Sequence, residues 1–232
     1  MIEVIASVLP FKTYEELKNK IGVLRGIVSN IQIDFCDGIF VPSKTWPFFS
    51  DGFDDYDFQK IMREEQGLPF WDEFDFELDL MVAEAVENFD TYLKLGPKRI
   101  IFHLEAMKSL EDFRNFLEGI DLYIRDNIQI GIAFKPSQPF ENVLPLISCV
   151  DFVQCMGNDK IGYGGVSLDE KVYDKIKLLR EKYPDLPIEV DIGVNEETAP
   201  KLVKAGATKL ITGSVLFNSY DKIGLVERFR NL

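Results

Sequence analysis

The chain has 232 residues, 46% of them hydrophobic, with a formal net charge of −13. That is enough apolar material for a sizeable core, and it excludes a disordered chain. The charge argues against a nucleic-acid or anionic-membrane surface, although a local pocket can be positive inside an acidic protein.

Short apolar runs alternate with helical patterns along nearly the whole chain. Strands are predicted at 3–7, 30–34, 77–81, 99–103, 129–134, 152–156, 187–191 and 209–212. Between them, helical periodicity covers 13–21, 84–95, 110–120, 140–146, 168–182, 197–205 and 221–229. Thr13-Tyr14-Glu15-Glu16 opens the first helix with a capping-box signal. Eight strands interleaved with helices mean a parallel sheet. At this length a closed (β/α)8 TIM barrel spanning residues 1–232 is the leading fold, and an open doubly wound sheet is the alternative. Segment 43–76 departs from the rhythm. It is rich in aromatic and acidic residues, with one plausible helix near 56–65, and reads as a loop packed on the barrel rim or as a lid or subunit contact.

Cys36, Cys149 and Cys155 are odd in number and lack CxxC spacing, so the chain reads as a reduced, cytoplasmic protein without disulfides. No basic n-region precedes the first strand, and no apolar run approaches the ~18 residues of a membrane span, so neither a signal peptide nor a membrane partner is expected.

Several strands carry polar residues at inward parity near their C-terminal ends: Ser7, Gln32, Asp34, Glu77, Asp79, His103, Glu189 and Asp191. Buried carboxylates are costly unless paired, protonated or metal-bound. Several of them at one end of a sheet are better explained by a site than by packing. Asp34 and Asp191 end different strands, as a base and an acid on two sides of a substrate would require. His103 reads as a hydrogen-bonded barrel histidine, Asp37 as a turn-former and Cys36 as an apolar wall residue. Gly162-Tyr163-Gly164-Gly165, Gly193 and Thr212-Gly213-Ser214 follow the last three strands. Glycine turns there expose backbone N–H groups that can cradle a phosphate.

These segments together resemble the ribulose-phosphate 3-epimerase family of ribulose-phosphate-binding barrels. The resemblance runs through Ala6-Ser7-Val8-Leu9, Ile33-Asp34-Phe35-Cys36-Asp37-Gly38-Ile39-Phe40-Val41-Pro42-Ser43, Leu80-Met81-Val82, Phe102-His103-Leu104-Glu105-Ala106, Gly162-Tyr163-Gly164-Gly165, Val190-Asp191-Ile192-Gly193-Val194-Asn195 and Thr212-Gly213-Ser214. It implies inversion of the carbon beside the carbonyl of a ketopentose phosphate, with Asp34 and Asp191 moving the protons. It implies a substrate pocket lined by Ser7, Met81 and Met156, and a phosphate site at Gly164, Gly165, Gly193, Gly213 and Ser214. It also implies a divalent metal held by two histidines and the two aspartates. Here the histidine positions are Gln32 and Asp79, so the implied ligands become Asp34, Asp191, Gln32 and Asp79. Such an all-oxygen set favours manganese or magnesium over zinc; cobalt, zinc or no metal at all remain open. His103 belongs to another motif and does not replace the lost pair. Cys36 stands for a pocket methionine, Val166 for a glutamine, and Ile192 for the first glycine of an Asp-Gly-Gly turn.

The expected function is a phosphosugar epimerase or isomerase. The alternative is a phosphosugar-binding pseudoenzyme without metal-dependent catalysis. An aldolase or decarboxylase is disfavoured, because no lysine is read at inward parity within the strands. The expected partner is a small phosphorylated sugar, with self-association into a homo-oligomer left open.

Overall fold

The computed structural model describes residues 1–232. Eight parallel strands close into a barrel in sequence order: β1 (Glu3–Val8), β2 (Asn30–Cys36), β3 (Asp75–Met81), β4 (Arg99–His103), β5 (Gln129–Phe134), β6 (Phe152–Met156), β7 (Ile188–Asp191) and β8 (Lys209–Thr212). The sheet shuts where β1 pairs with β8, with Val4 opposite Leu210 and Ala6 opposite Thr212. This is the expected TIM barrel, and the open-sheet alternative is excluded.

Ten α-helices accompany the strands: α1 (Tyr14–Gly22), α2 (Tyr56–Met62), α3 (Phe89–Leu93), α4 (Leu110–Gly119), α5 (Leu122–Asn127), α6 (Phe140–Val143), α7 (Lys171–Lys182), α8 (Ala199–Ala205), α9 (Ser214–Asn218) and α10 (Lys222–Arg230). Outward residues of the strands and inward faces of the helices form the main core, including Val4, Ile33, Leu78, Phe102, Ile132, Val153 and Val190. Alternate strand residues face the barrel interior. Thr13 caps α1 by accepting from the Glu16 amide at 3.1 Å, while the Glu16 carboxylate accepts from the Lys12 amide at 2.7 Å. The expected capping box therefore closes one residue early on its return side.

Two helical expectations need correction. Residues 84–88 form turns, and only Phe89–Leu93 is helical, because the Asn88 side chain bonds back to the Glu84 carbonyl at 2.9 Å. Helix α7 starts at Lys171 rather than 168, after the Asp169 carboxylate has accepted from the Lys171 amide.

Segment 43–76 is packed against the barrel. Trp46 is buried, donates to Asp55 Oδ1 at 2.8 Å, and lies among Tyr14, Phe35 and Phe58. Asp55 caps α2, the crossover helix between β2 and β3. The aromatic residues mostly fill the outer core, which is the packing reading of this segment.

No helix is long and apolar enough to cross a membrane.

Candidate active site

The C-terminal ends of the strands open onto a cavity of about 240 Å³. Two aspartates face it from different strands: Asp34 near the end of β2 and Asp191 at the end of β7. Ser7 of β1 and Met81 of β3 share that wall. The rest of the lining is rich in loop residues: 162–167 after β6, 192–195 after β7, and 213–215 after β8. All five phosphate candidates, Gly164, Gly165, Gly193, Gly213 and Ser214, therefore border one space with Asp34 and Asp191.

Gly193 admits no side chain, and Gly213 is closely packed. Gly193 has φ +75°, and a Cβ there would lie 2.6 Å from the Leu168 amide. At Gly213, a Cβ would press on the Ser7 carbonyl at 3.3 Å. Across the rim, the Ser43 hydroxyl donates to the Gly162 carbonyl, so the loops after β2 and β6 are tied together.

Beneath the cavity lies a polar layer. Gln32 and Asp79 are wholly buried and do not line the cavity, and Met156 is buried within the inner apolar cluster with Cys36, Met81 and Ile161. Asp34 accepts from the Ser7 hydroxyl at 2.8 Å on Oδ2 and from Gln32 Nε2 at 2.7 Å on Oδ1. Asp191 Oδ1 accepts from the Ile192 amide at 2.8 Å. His103 Nε2 lies 2.6 Å from Asp79 Oδ1, and Gln154 Nε2 reaches Asp79 Oδ2 at 3.4 Å. The imidazole read as a hydrogen-bonded barrel histidine is held through Nε2 by Asp79, one of the implied metal ligands, while its buried Nδ1 has no protein partner. Gln154 was not anticipated. Its signal was available, since it shares the inward parity of Met156 on β6.

The electrostatics follow from burial and crowding. Burial, then the charges of Asp191 and Asp79, raise the Asp34 pKa well above the usual carboxylate value, with Gln32 and Ser7 opposing. Burial and Asp79 push Asp191 up to about 7, opposed by the Ile192 amide, His103 and Gln32. Burial disfavours the His103 imidazolium, but the charge and hydrogen bond of Asp79 prevail and raise its pKa.

Two inward carboxylates belong elsewhere. Glu77 and Glu189 lie at the opposite, N-terminal end of the barrel, one full inward step below Asp79 and Asp191. Glu77 Oε2 is 2.7 Å from Arg99 Nε, and Glu189 Oε1 is 2.6 Å from Lys209 Nζ. Glu3 adds a third carboxylate, 2.9 Å from Arg99 and 3.8 Å from Lys209. This is a structural ion-pair layer, and the expectation that all inward acids share one end is corrected. So is the absence of an inward lysine: Lys209 faces inward, but its ammonium is held by Glu189 at the closed end.

The implied metal can be tested against these donors. No group of three or more His, Cys, Asp or Glu side chains is placed to hold an ion. Both Asp34 oxygens and both Asp79 oxygens already face side-chain donors. As arranged, Asp34, Asp191, Gln32 and Asp79 do not fit a resident divalent metal, and no step below runs through one.

A parallel (β/α)8 barrel whose inward acids and late glycine turns border one cavity carries its candidate site at the usual face of this fold. The Ribulose-phosphate 3 epimerase family profile matches residues 3–217. The chain belongs to that family. Ribulose-phosphate 3-epimerase of Schizosaccharomyces pombe is 30% identical over 220 residues, covering 94% of this chain and 88% of that protein. The Bacillus subtilis protein of the same name is 29% identical over 237 residues, covering 99% of each. The match to the Eremothecium gossypii protein is 31% identical over 156 residues and spans 67% of this chain and 62% of that one. Among solved structures, a ligand complex of KGPDC from Streptococcus mutans gives a TM-score of 0.68 at 12% identity, covering 99% of this chain and 96% of that one. A 3-hexulose-6-phosphate synthase gives 0.65 at 14% identity, covering 99% of both. At those identities the two structures speak to the fold alone.

Proposed function

We propose that the chain epimerises a phosphorylated ketose by proton transfer at the carbon beside the carbonyl. One observation carries the reading: Asp34 and Asp191 reach one cavity from β2 and β7, and the glycine turns after β6, β7 and β8 line the same cavity. Crowding raises both pKa values, which favours one proton shared between two carboxyls near neutral pH. The ionised aspartate takes the C3 proton. The C–H electron pair moves toward the carbonyl oxygen and forms an enediolate. The protonated partner then delivers its proton to C3 from the other face, and the electron pair returns to form the new C–H bond. The pair ends with its proton exchanged between sites and no net proton gained or lost. The glycine turns supply N–H groups for the phosphate, so the remote group anchors the sugar while the acids act.

The test is exchange of the C3 hydrogen of ribulose 5-phosphate, and of related pentulose and hexulose phosphates, with solvent deuterium. Asp34→Asn and Asp191→Asn should each lower exchange by at least on the order of 100-fold with the fold intact, since an amide cannot take up and return the proton. Inorganic phosphate should compete with the sugar. A folded wild type that exchanges none of the panel would replace this reading with that of a phosphosugar-binding protein.

A further inference from the structure

We propose that Gln32 is a positioning residue that holds Asp34 by a hydrogen bond in the space where a divalent cation would otherwise bind. The inference rests on the acid/base reading of Asp34 and Asp191.

Gln32 and Asp34 are two apart on β2, so both side chains enter the barrel. Gln32 has no exposed surface, and its Nε2 donates to Asp34 Oδ1 at 2.7 Å. The Ser7 hydroxyl fills the other Asp34 oxygen at 2.8 Å. A cation at Asp34 would have to share either oxygen with a buried donor. The amide group facing Asp34 is the NH2 end, which repels a cation rather than ligating it. Gln32 Oε1 is buried and has no protein partner. An amide so placed suits a pair of acids that share one proton. Its N–H bonds the ionised carboxylate, and its free carbonyl oxygen can accept from a protonated carboxyl.

The third carboxylate is removed from a cation in the same manner. Asp79 is held by His103 at 2.6 Å and by Gln154 at 3.4 Å, below the cavity floor. Where a metal centre would use three carboxylates facing one point, this barrel faces each carboxylate with its own side-chain or backbone donor. The side chains themselves supply the hydrogen bonds, and His103 sits among the acids where positive charge is needed.

The experiment has two arms. In the first, protein purified without chelators is analysed for metal content, and its thermal midpoint is followed with manganese, magnesium, cobalt and zinc chlorides. Far less than one ion per chain and no saturable shift are expected. Gln32→Glu replaces the donor with an acceptor beside Asp34 and should gain a saturable manganese-induced shift. In the second arm, Gln32→Leu removes the amide. Exchange should fall on the order of 10- to 100-fold, mainly in kcat rather than KM, because Asp34 loses the donor that fixes its orientation. Gln32→Asn, which keeps the amide, should recover part of the rate. One tightly held metal per chain, lost in Asp34→Asn, would overturn the proposal. So would Gln32→Leu kinetics identical to wild type. If wild type shows no exchange at all, the catalytic reading fails, and the metal measurements on wild type and Gln32→Glu still decide whether the amide excludes the cation.

Discussion

Replacing Asp191 with asparagine should make the protein more stable at alkaline pH while removing its activity. The native fold pushes the Asp191 pKa from 3.8 to about 7, chiefly by burial and by Asp79. Between those values the native state holds a proton that the unfolded chain has released. Stability must therefore fall as pH rises through that window, with no penalty below it and the full penalty above it. About three units at roughly 1.4 kcal/mol each set an upper limit near ~4 kcal/mol. Asp191 is partly open to the cavity, so water screens it, and about half that value is a sounder expectation. Asparagine keeps an oxygen that can accept from the Ile192 amide and carries no charge. Urea unfolding followed by circular dichroism at about pH 8 should show Asp191→Asn ahead by ~2 kcal/mol. Near pH 4 the two proteins should converge. An asparagine variant that is no more stable at pH 8, or whose advantage persists unchanged in acid, would refute the reasoning.

Lys209→Met should cost about 3–5 kcal/mol at neutral pH, because it strands buried Glu189 without its ammonium partner. Part of the loss should return in acid, since burial already raises the Glu189 pKa and protonation removes the unpaired charge; urea midpoints across pH test this. Ile192 is a β-branched residue at φ 74°, a conformation that costs an L-residue ~1–2 kcal/mol. Ile192→Gly should therefore unfold at higher urea than Ile192→Ala, by about 1 kcal/mol, reversing the usual order of the two residues. An alanine variant equal to or better than glycine would show that the backbone at 192 relaxes.

The barrel was legible because parallel strands are buried on both faces and read as nearly unbroken apolar runs, such as residues 130–134 and, but for its glutamine, 152–156. Their inward parity was legible too, and it picked out Asp34 and Asp191. Parity names a face and says nothing of height. Glu77 and Asp79 share a face, yet one lies in the ion-pair layer and the other in the layer of acids. Height is set by the stagger of neighbouring strands, with Gln32 opposite Glu77 and Asp34 opposite Asp79, and that register arises only on closure. The same limit hid the meeting of His103 with Asp79, which are diagonal neighbours on adjacent strands, one inward step apart. Helices α5 and α9, of six and five residues, are too short for a period of 3.6 to stand out.

The two interior layers also explain each other. At the closed end, three carboxylates, Glu3, Glu77 and Glu189, meet two cations, Arg99 and Lys209. Both cations are committed there, one inward step below the acids that face the cavity. The upper layer holds Asp34, Asp79 and Asp191 with one imidazole and two amides as their interior side-chain partners, besides the Ser7 hydroxyl. Three buried carboxylates so placed cannot all be ionised without a compensating charge. His103 beside Asp79 meets part of that demand, and protons on the cavity-facing pair meet the rest. Under the proposed mechanism, the proton that burial places on Asp34 or Asp191 is the one held ready for the far face of the substrate, so that the electrostatic cost of the fold and the acid of the chemistry would reside in one pair of side chains.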